Sequence, residues 1–326
     1  MKTIYPEKLK KNDEIRVIAP SSSLAHIADD NRRIAIQRLT EIGFHVTFGN
    51  NVDETDEFGS SSIASRIADL HAAFSDKKVK AILSVLGGSN CNQLLKYIDW
   101  NVIKNNTKIF CGFSDITVLN NAIFAKTGLV TYSGPHYSTF GQKLYMDYTL
   151  EYFRKCLEQN DPLEILPSDF WTDDKWFLDQ DKRLPIKNEG YLVINEGQAE
   201  GTLLGGNLFG FNILKGIEYF PNLEDSIIYL EDVSSAAIFD MELQSLILVK
   251  NFEKVKGLVL GRFQQYSQME NGTLTKIIKS KKELERIPII ANVDFGHTNP
   301  MITFPIGGKV QISAMNNESK IVISAH

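Results

Sequence analysis

Lys108-Ile109-Phe110-Cys111-Gly112-Phe113-Ser114-Asp115-Ile116-Thr117 is the stretch on which the reading of this chain turns. Ile109, Phe110 and Cys111 form a short apolar run of the kind a parallel sheet buries on both faces. Gly112 removes side-chain bulk just before a turn, and Thr117-Val118-Leu119 begins a helical pattern. Ser114 therefore stands where a strand hands over to a helix, at the carboxyl edge of a sheet and beside helix N-terminal N–H groups. A serine nucleophile needs that geometry. Most strand-end serines only cap helices, however, and the stretch departs from G-x-S-x-G because Ile116 replaces the last glycine.

Strands and helices alternate on either side. Glu14 to Pro20 reads as a strand ending in Ser21-Ser22-Ser23, and Ile34, Ile36, Leu39 and Ile42 mark a helix closed by Gly43. His45 to Phe48 is a second strand, and Ile63, Ile67, Leu70 and Phe74 mark a second helix. Lys80 to Leu86 is a third strand that ends in Gly87-Gly88-Ser89-Asn90. A short helix is expected over Asn92 to Ile98, and a fifth strand over Leu129 to Tyr132. The alternation predicts a doubly wound parallel sheet with right-handed crossovers. Ligands of such sheets bind off the carboxyl ends of the strands, so the loops at Ser21, Gly87 and Ser114 should converge.

The pattern breaks between Pro162 and Gly190, where Phe170-Trp171 to Trp176-Phe177 forms an aromatic, acidic run. It is expected either to pack two domains together or to wall a substrate. Beyond it come a glycine turn (Gly205-Gly206-Asn207), a strand ending on Glu231-Asp232, a helix over Ala237 to Val249 and strands over Val255 to Gly261 and Ile287 to Val293. A closing hairpin is expected around Met315-Asn316-Asn317. The expected division is 1–165 for the nucleophile domain, 166–190 for a linker and 191–326 for a second domain.

Composition bounds the function. The 326 residues are 43% hydrophobic and 23% charged, with a net charge of −5 and no basic block. That is an ordinary globular chain, poorly suited to nucleic acid or an anionic membrane. Three cysteines without C-x-x-C spacing suit a reduced compartment and argue against a cysteine zinc site. With no apolar leader or spanning segment, a cytoplasmic enzyme is expected. The spacings of metalloprotease, P-loop and dinucleotide motifs are missing, so neither a metal nor a cofactor is expected.

A serine hydroxyl needs a base, and the base needs an orienting acid. Of six histidines, His297 follows an apolar strand in the loop Gly296 to Pro300, and His136 in Gly134-Pro135-His136 is its rival. Glu231 and Asp232 end a buried strand, where a carboxylate is costly unless paired, and Asp294 is the alternative acid. An oxyanion needs two N–H donors. The N–H of Asp115 can be one, and the Gly87-Gly88 turn can present the other. Gly205-Gly206-Asn207 is either a simple turn or a wall of the pocket.

Together, Val17-Ile18-Ala19-Pro20-Ser21-Ser22, Gly87-Gly88-Ser89-Asn90, Gly112-Phe113-Ser114-Asp115, Leu204-Gly205-Gly206-Asn207, Leu230-Glu231-Asp232 and Gly296-His297-Thr298-Asn299-Pro300-Met301 resemble the LD-carboxypeptidase family of serine peptidases. Within it they look like the microcin C immunity branch. The resemblance implies a flavodoxin- or class I amidotransferase-like N-terminal domain, a smaller, mostly β C-terminal domain and a homodimer. It implies a triad of Ser114, Glu231 and His297, with an oxyanion hole from Gly88 and Asp115. It also implies hydrolysis of the amide that joins a peptidyl or aminoacyl group to a nucleotide. The alternatives are release of D-alanine from murein tetrapeptides and, in another class, non-catalytic binding of a small molecule. Asn90, Gly206, Asn207, Trp176 and Phe177 are expected against the substrate. Tyr191 stands where the immunity branch stacks a tryptophan on the base, and Ser235 where it has a lysine.

Overall fold

The computed structural model describes residues 2–315 and 318–326. The first five strands are β1 (Glu14–Ile18), β2 (His45–Phe48), β3 (Val79–Ser84), β4 (Ile109–Cys111) and β5 (Thr131–Ser133). Between them run α1 (Asp29–Glu41), α2 (Ile63–Ser75), α3 (Trp100–Asn105) and α4 (Thr117–Thr127), with α5 (Asp147–Glu158) after β5. There follow β6 (Leu163–Ile165), β7 (Phe170–Trp171), β8 (Ile186–Lys187), β9 (Leu192–Asn195), β10 (Gly197–Asn207), β11 (Ser226–Glu231), β12 (Gly257–Gly261), β13 (Ile289–Val293), β14 (Phe304–Ile306), β15 (Lys309–Ala314) and β16 (Lys320–Ala325). Helices α6 (Leu208–Ile213), α7 (Ala236–Ile247) and α8 (Asn271–Lys279) complete the chain.

The first sheet has the order β14-β5-β4-β3-β1-β2. Its pairs from β2 through β5 are parallel, and β14 joins antiparallel at the edge. Alternate residues face opposite cores, as the pleat dictates. Ile82 and Phe110 point to a cluster with Phe74, Ile116 and Ile123. Ala81, Leu83, Ile109 and Cys111 point to a larger core that continues into the second domain through Leu204, Leu230 and Phe295. This doubly wound sheet and its partner domain form the two-domain α/β architecture that the alternation and the resemblance imply.

The second sheet runs β6-β16-β15-β10-β11-β12-β13-β9. Its centre, β10 to β13, is parallel and its flanks are antiparallel. The β10–β11 register sets Asn207 opposite Glu231. Two strands cross the division read from the sequence. β6, on the N-terminal side, pairs with β16, and β14, far toward the C-terminus, closes the first sheet. The segment between β6 and β9 is more than a connection, because β7 and β8 pair as a small hairpin.

Local differences have plain causes. Over the expected helix at 92–98 there is a single 3-10 turn, Cys91–Leu94, and the helix starts at Trp100. Asp99 caps it there, its side chain accepting from the Asn101 N–H. Asn316 and Asn317 of the expected turn lie outside the described residues, but the hairpin pairing of β15 with β16 is present. No helix among the described residues is long and apolar enough to cross a membrane.

Candidate active site

Ser114 follows β4 and opens a 3-10 turn that runs into α4, at φ +59°. A left-handed serine is uncommon, and strain of this kind clusters at functional sites. The three loops at the carboxyl edge do converge. Ser22 N–H donates to Gly87 O at 3.1 Å. Asp115 Oδ2 accepts from Ser21 Oγ at 2.6 Å and from the N–H groups of Asn90 and Cys91, each at 2.9 Å. The side chain after Ser114 thus ties the β1 and β3 loops to the turn. Gly87 presses directly on the serine, since a Cβ there would stand 2.9 Å from Ser114 Oγ. No partner within the protein takes the N–H of Gly88 or of Asp115 among the described residues.

The second domain brings an imidazole and a carboxylate to the serine. His297 Nε2 lies 3.1 Å from Ser114 Oγ, and its Nδ1 lies 2.8 Å from Glu231 Oε2. Glu231 is 3% exposed, and its Oε1 accepts from Asn207 Nδ2 at 3.0 Å. Burial alone would lower the His297 pKa, but the charge and hydrogen bond of Glu231, helped by Asp232, outweigh it and raise it. The arrangement can pass a proton from Oγ to imidazole and hold the resulting cation.

His136 is placed differently. Its Nε2 lies 2.9 Å from the Phe113 carbonyl, and its ring stacks on Phe113 at 4.1 Å between centroids. Burial pushes its pKa down to about 3, so it stays neutral. The Phe113 ring also meets His297 edge-on at 5.3 Å, holding the two imidazoles apart. Asp294, the alternative acid, braces the loops instead. Its Oδ2 accepts from Ser168 N–H at 2.8 Å, and its Oδ1 faces Arg262 Nη2 at 3.3 Å.

A cleft of about 490 Å³ opens beside His297 and Phe113. Trp176, Phe177 and Tyr266 line it, with Lys175 as a cation at its edge. The aromatic segment is anchored at its base. Asp173 accepts from Gln264 Nε2 at 2.9 Å and from Gln265 N–H at 2.6 Å. Asp174 pairs with the buried Arg183 at 2.6 Å. Tyr266 donates its hydroxyl to Val233 O, which fixes an exposed ring in the cleft.

The N-terminal model of the LD-carboxypeptidase family matches residues 15–134, and the C-terminal model matches residues 200–312. The carboxypeptidase-named protein YocD of Bacillus subtilis (strain 168) is 51% identical over 99% of this chain and 100% of its own length. The chain belongs to the LD-carboxypeptidase family. It is a serine carboxypeptidase of that family. The microcin C7 self-immunity protein MccF of Escherichia coli is 30% identical over 92% of this chain and 91% of its own. The murein tetrapeptide carboxypeptidase of Pseudomonas aeruginosa is 26% identical over 90% and 91%. Among solved structures, an MccF-like protein from Bacillus anthracis superposes with a TM-score of 0.99 at 52% identity, over 99% of this chain and 100% of that one. MccF in complex with glutamyl sulfamoyl guanosine superposes at 0.89 with 28% identity, over 98% of both chains.

Several side chains expected against substrate have other positions in this LD-carboxypeptidase. Tyr191 is absent from the cleft lining, because its hydroxyl donates to Ile165 O at 2.7 Å and its ring packs on the core. Trp176 and Phe177 are the aromatic residues of the pair of alternatives that reach the cleft. Gly206 abuts α4, where a Cβ would come within 2.6 Å of Thr117 Oγ1. Asn207 spends its Oδ1 on Gly210 N–H at 3.1 Å and its Nδ2 on Glu231. Asn90 Oδ1 accepts from Arg66 Nη1 at 3.1 Å, with Ser21 Oγ also 3.2 Å away. Sequence reading missed Asn207 as the support of Glu231. The signal was there, since both residues end parallel strands. Tyr266 carried no signal, being one aromatic in a polar loop.

Proposed function

We propose that this LD-carboxypeptidase cleaves, through an acyl-enzyme on Ser114, the amide that joins an aminoacyl or peptidyl group to a nucleotide. The observation that carries the chemistry is the unbroken chain Ser114 Oγ, His297, Glu231, with separations of 3.1 and 2.8 Å. His297 Nε2 takes the Oγ proton as Oγ attacks the carbonyl carbon. The tetrahedral oxyanion is received by the N–H groups of Gly88 and Asp115. His297 then returns the proton to the departing nitrogen. A water activated by the same imidazole releases the acyl group and restores Ser114. Glu231 fixes the ring and stabilises its cationic form.

The aromatic wall supports the nucleotide reading. Trp176, Phe177 and Tyr266 offer flat apolar surface to a base, and MccF, of the same fold at 28% identity, is known in complex with glutamyl sulfamoyl guanosine. Lys175 and the N-terminal end of α7 around Ser235 are the groups available to an anionic linkage. Release of D-alanine from murein tetrapeptide is the second reading, favoured by the likeness to the Pseudomonas enzyme. Direct competition tests the choice. Purified protein is offered a glutamyl-sulfamoyl nucleotide and a murein tetrapeptide at equal concentration, and both products are followed. Faster release of the nucleotide moiety is expected. Faster release of D-alanine overturns the nucleotide reading and leaves the triad in place.

A further inference from the structure

A second and larger cavity, about 860 Å³, lies on the far side of Gln264 and Gln265. Those two residues line both it and the cleft beside His297, so the spaces adjoin along one ridge. Five carboxamides line the second cavity, Gln264, Gln265, Gln268, Asn271 and Asn292. Gln264 Nε2 is given to Asp173 and Asn292 Nδ2 to Asn271 Oδ1 at 3.1 Å, which leaves the side chains of Gln265 and Gln268, the Asn271 amide and the oxygens of Gln264 and Asn292 to a ligand. A carboxamide presents a donor and an acceptor without charge, the complement of a peptide group's own C=O and N–H.

The backbone is bent to supply them. Asn292 lies within β13 yet has φ +61°, and the β12–β13 pairing slips there, with Val259 opposite Ile290 but Gly261 opposite Val293. Two residues on β13 therefore oppose one on β12, a bulge of the kind that re-aims a side chain. Gln268 is also left-handed, at φ +56°. Outside glycine such conformations cost about 1–3 kcal/mol and persist where the surroundings enforce them.

The floor enforces this one. Arg262, 8% exposed, lies over the Trp171 ring at 5.1 Å and donates through Nη2 to Asn292 O at 3.0 Å. Its charge is matched by Asp294, and its Nε has no acceptor among the described residues. With that pair neutralised, Lys187 and Glu189 paired at 3.6 Å, and Glu270 the remaining charged residue of the lining, the cavity is polar and at most weakly negative. It suits an uncharged polar chain better than a phosphate.

We propose that this cavity is a peptide-binding subsite, holding the part of a peptidyl substrate that lies N-terminal to the scissile residue. The proposal rests on the reading of Ser114 as the centre of peptidyl amide cleavage, with the leaving group on the Trp176 side of the ridge and the peptide on the other.

Two arms test it separately from that reading. In the first, Ser114→Ala protein is titrated calorimetrically with a hexapeptide acid and with the single C-terminal amino acid. The hexapeptide binds more tightly. Asn271→Ala and Gln268→Gly, both exposed positions outside the machinery around Ser114, raise its Kd about 10-fold, the loss of one or two hydrogen bonds. Affinity for the amino acid is unchanged. In the second arm, intact enzyme is given glutamyl-sulfamoyl adenosine and a hexapeptidyl analogue. The substitutions raise KM for the longer substrate alone, with kcat unaltered. Equal binding of hexapeptide by variants and parent overturns the subsite, as does tighter binding of a muramyl-tetrapeptide through its sugar. Failure of the intact enzyme to cleave either nucleotide, with hexapeptide binding preserved, sinks the nucleotide reading and leaves the subsite standing.

Discussion

His297 is held by opposing forces, and their balance sets its working range. Burial favours the neutral ring, while Glu231 favours the cation, and the outcome is a pKa above the ordinary value of about 6.5. As the proposed base it must be neutral to accept the Ser114 proton, so kcat/KM is expected to fall as pH drops through that raised pKa and to be full above it. Glu231→Gln removes the raising charge and leaves the burial. The inflection in kcat/KM against pH then moves to lower pH, while kcat drops by about 10³- to 10⁴-fold. An unmoved inflection contradicts the assigned pairing. Asn207 acts one bond further out. Asn207→Ala frees Glu231 Oε1 and lowers kcat about 10- to 100-fold at nearly constant KM, measured by steady-state kinetics. At this scale the sequence pointed to positions at or just beyond strand ends, Glu231 closing β11 and Ser114 and His297 following β4 and β13, and the structure brings those three side chains within hydrogen-bond reach of one another. It was not legible where the same residue type can face in or out. Tyr191 and Trp176 are both aromatic residues near a domain junction. Only the bond from Tyr191 to Ile165 O and the anchoring of the Trp176 segment separate them.

The aromatic segment between β7 and β8 is the element that shapes the cleft, and a buried ion pair closes it. Arg183 and Asp174 are 1% and 12% exposed in their side chains. Removing one partner leaves the other charge buried and unpaired, which costs about 3–5 kcal/mol. Arg183→Met therefore lowers the melting temperature, and it raises KM more than it lowers kcat because the Trp176 wall loosens while the Ser114 geometry stays. Equal effects on KM and kcat contradict a role confined to the wall. The Gly87-Gly88 turn behaves oppositely. Gly87→Ala drives a methyl against Ser114 Oγ and abolishes turnover with little loss of stability, checked by thermal melting beside the assay. Elements with strong period were readable: β1 alternates Ile15 and Val17 with Glu14 and Arg16, and β3 and β4 carry apolar runs that end in turns. The helix α5 carried a readable signal too, Tyr152, Phe153, Cys156 and Leu157 on one buried face with Pro162 shortly after its end, and the reading of the sequence passed over it. The strand β14 is three residues with a proline, Phe304-Pro305-Ile306. Nothing local marks it as the edge of a sheet whose other strands lie more than a hundred residues earlier.

The whole molecule matters because the proposed site draws its residues from both domains. Ser114 and Asp115 come from the first sheet, and Glu231 and His297 from the second, so the site is only as precise as the packing between them. That packing is polar at its key point. Asn121, fully buried in α4, donates to Gly205 O at 2.8 Å and accepts from Gly205 N–H at 3.2 Å. Beside it, Asn207 N–H donates to Thr117 Oγ1 at 2.9 Å. Asn121→Ala orphans a backbone N–H and C=O inside the interface, costing about 2–4 kcal/mol. It touches no reacting atom, yet kcat falls with it, and urea unfolding read beside turnover checks both. The two domains were legible as two runs of alternation, but their mutual grip was not, because Asn121 and Gly205 lie 84 residues apart. The most direct test of the divided site is the kinetics of Ser114→Ala, His297→Ala and the double variant on a glutamyl-sulfamoyl nucleotide. Residues that act as one unit are not additive, so each single change should cost about 10⁴-fold or more in kcat and the double change no more than either. Multiplying losses, or a Ser114→Ala enzyme that still turns over, would contradict the account.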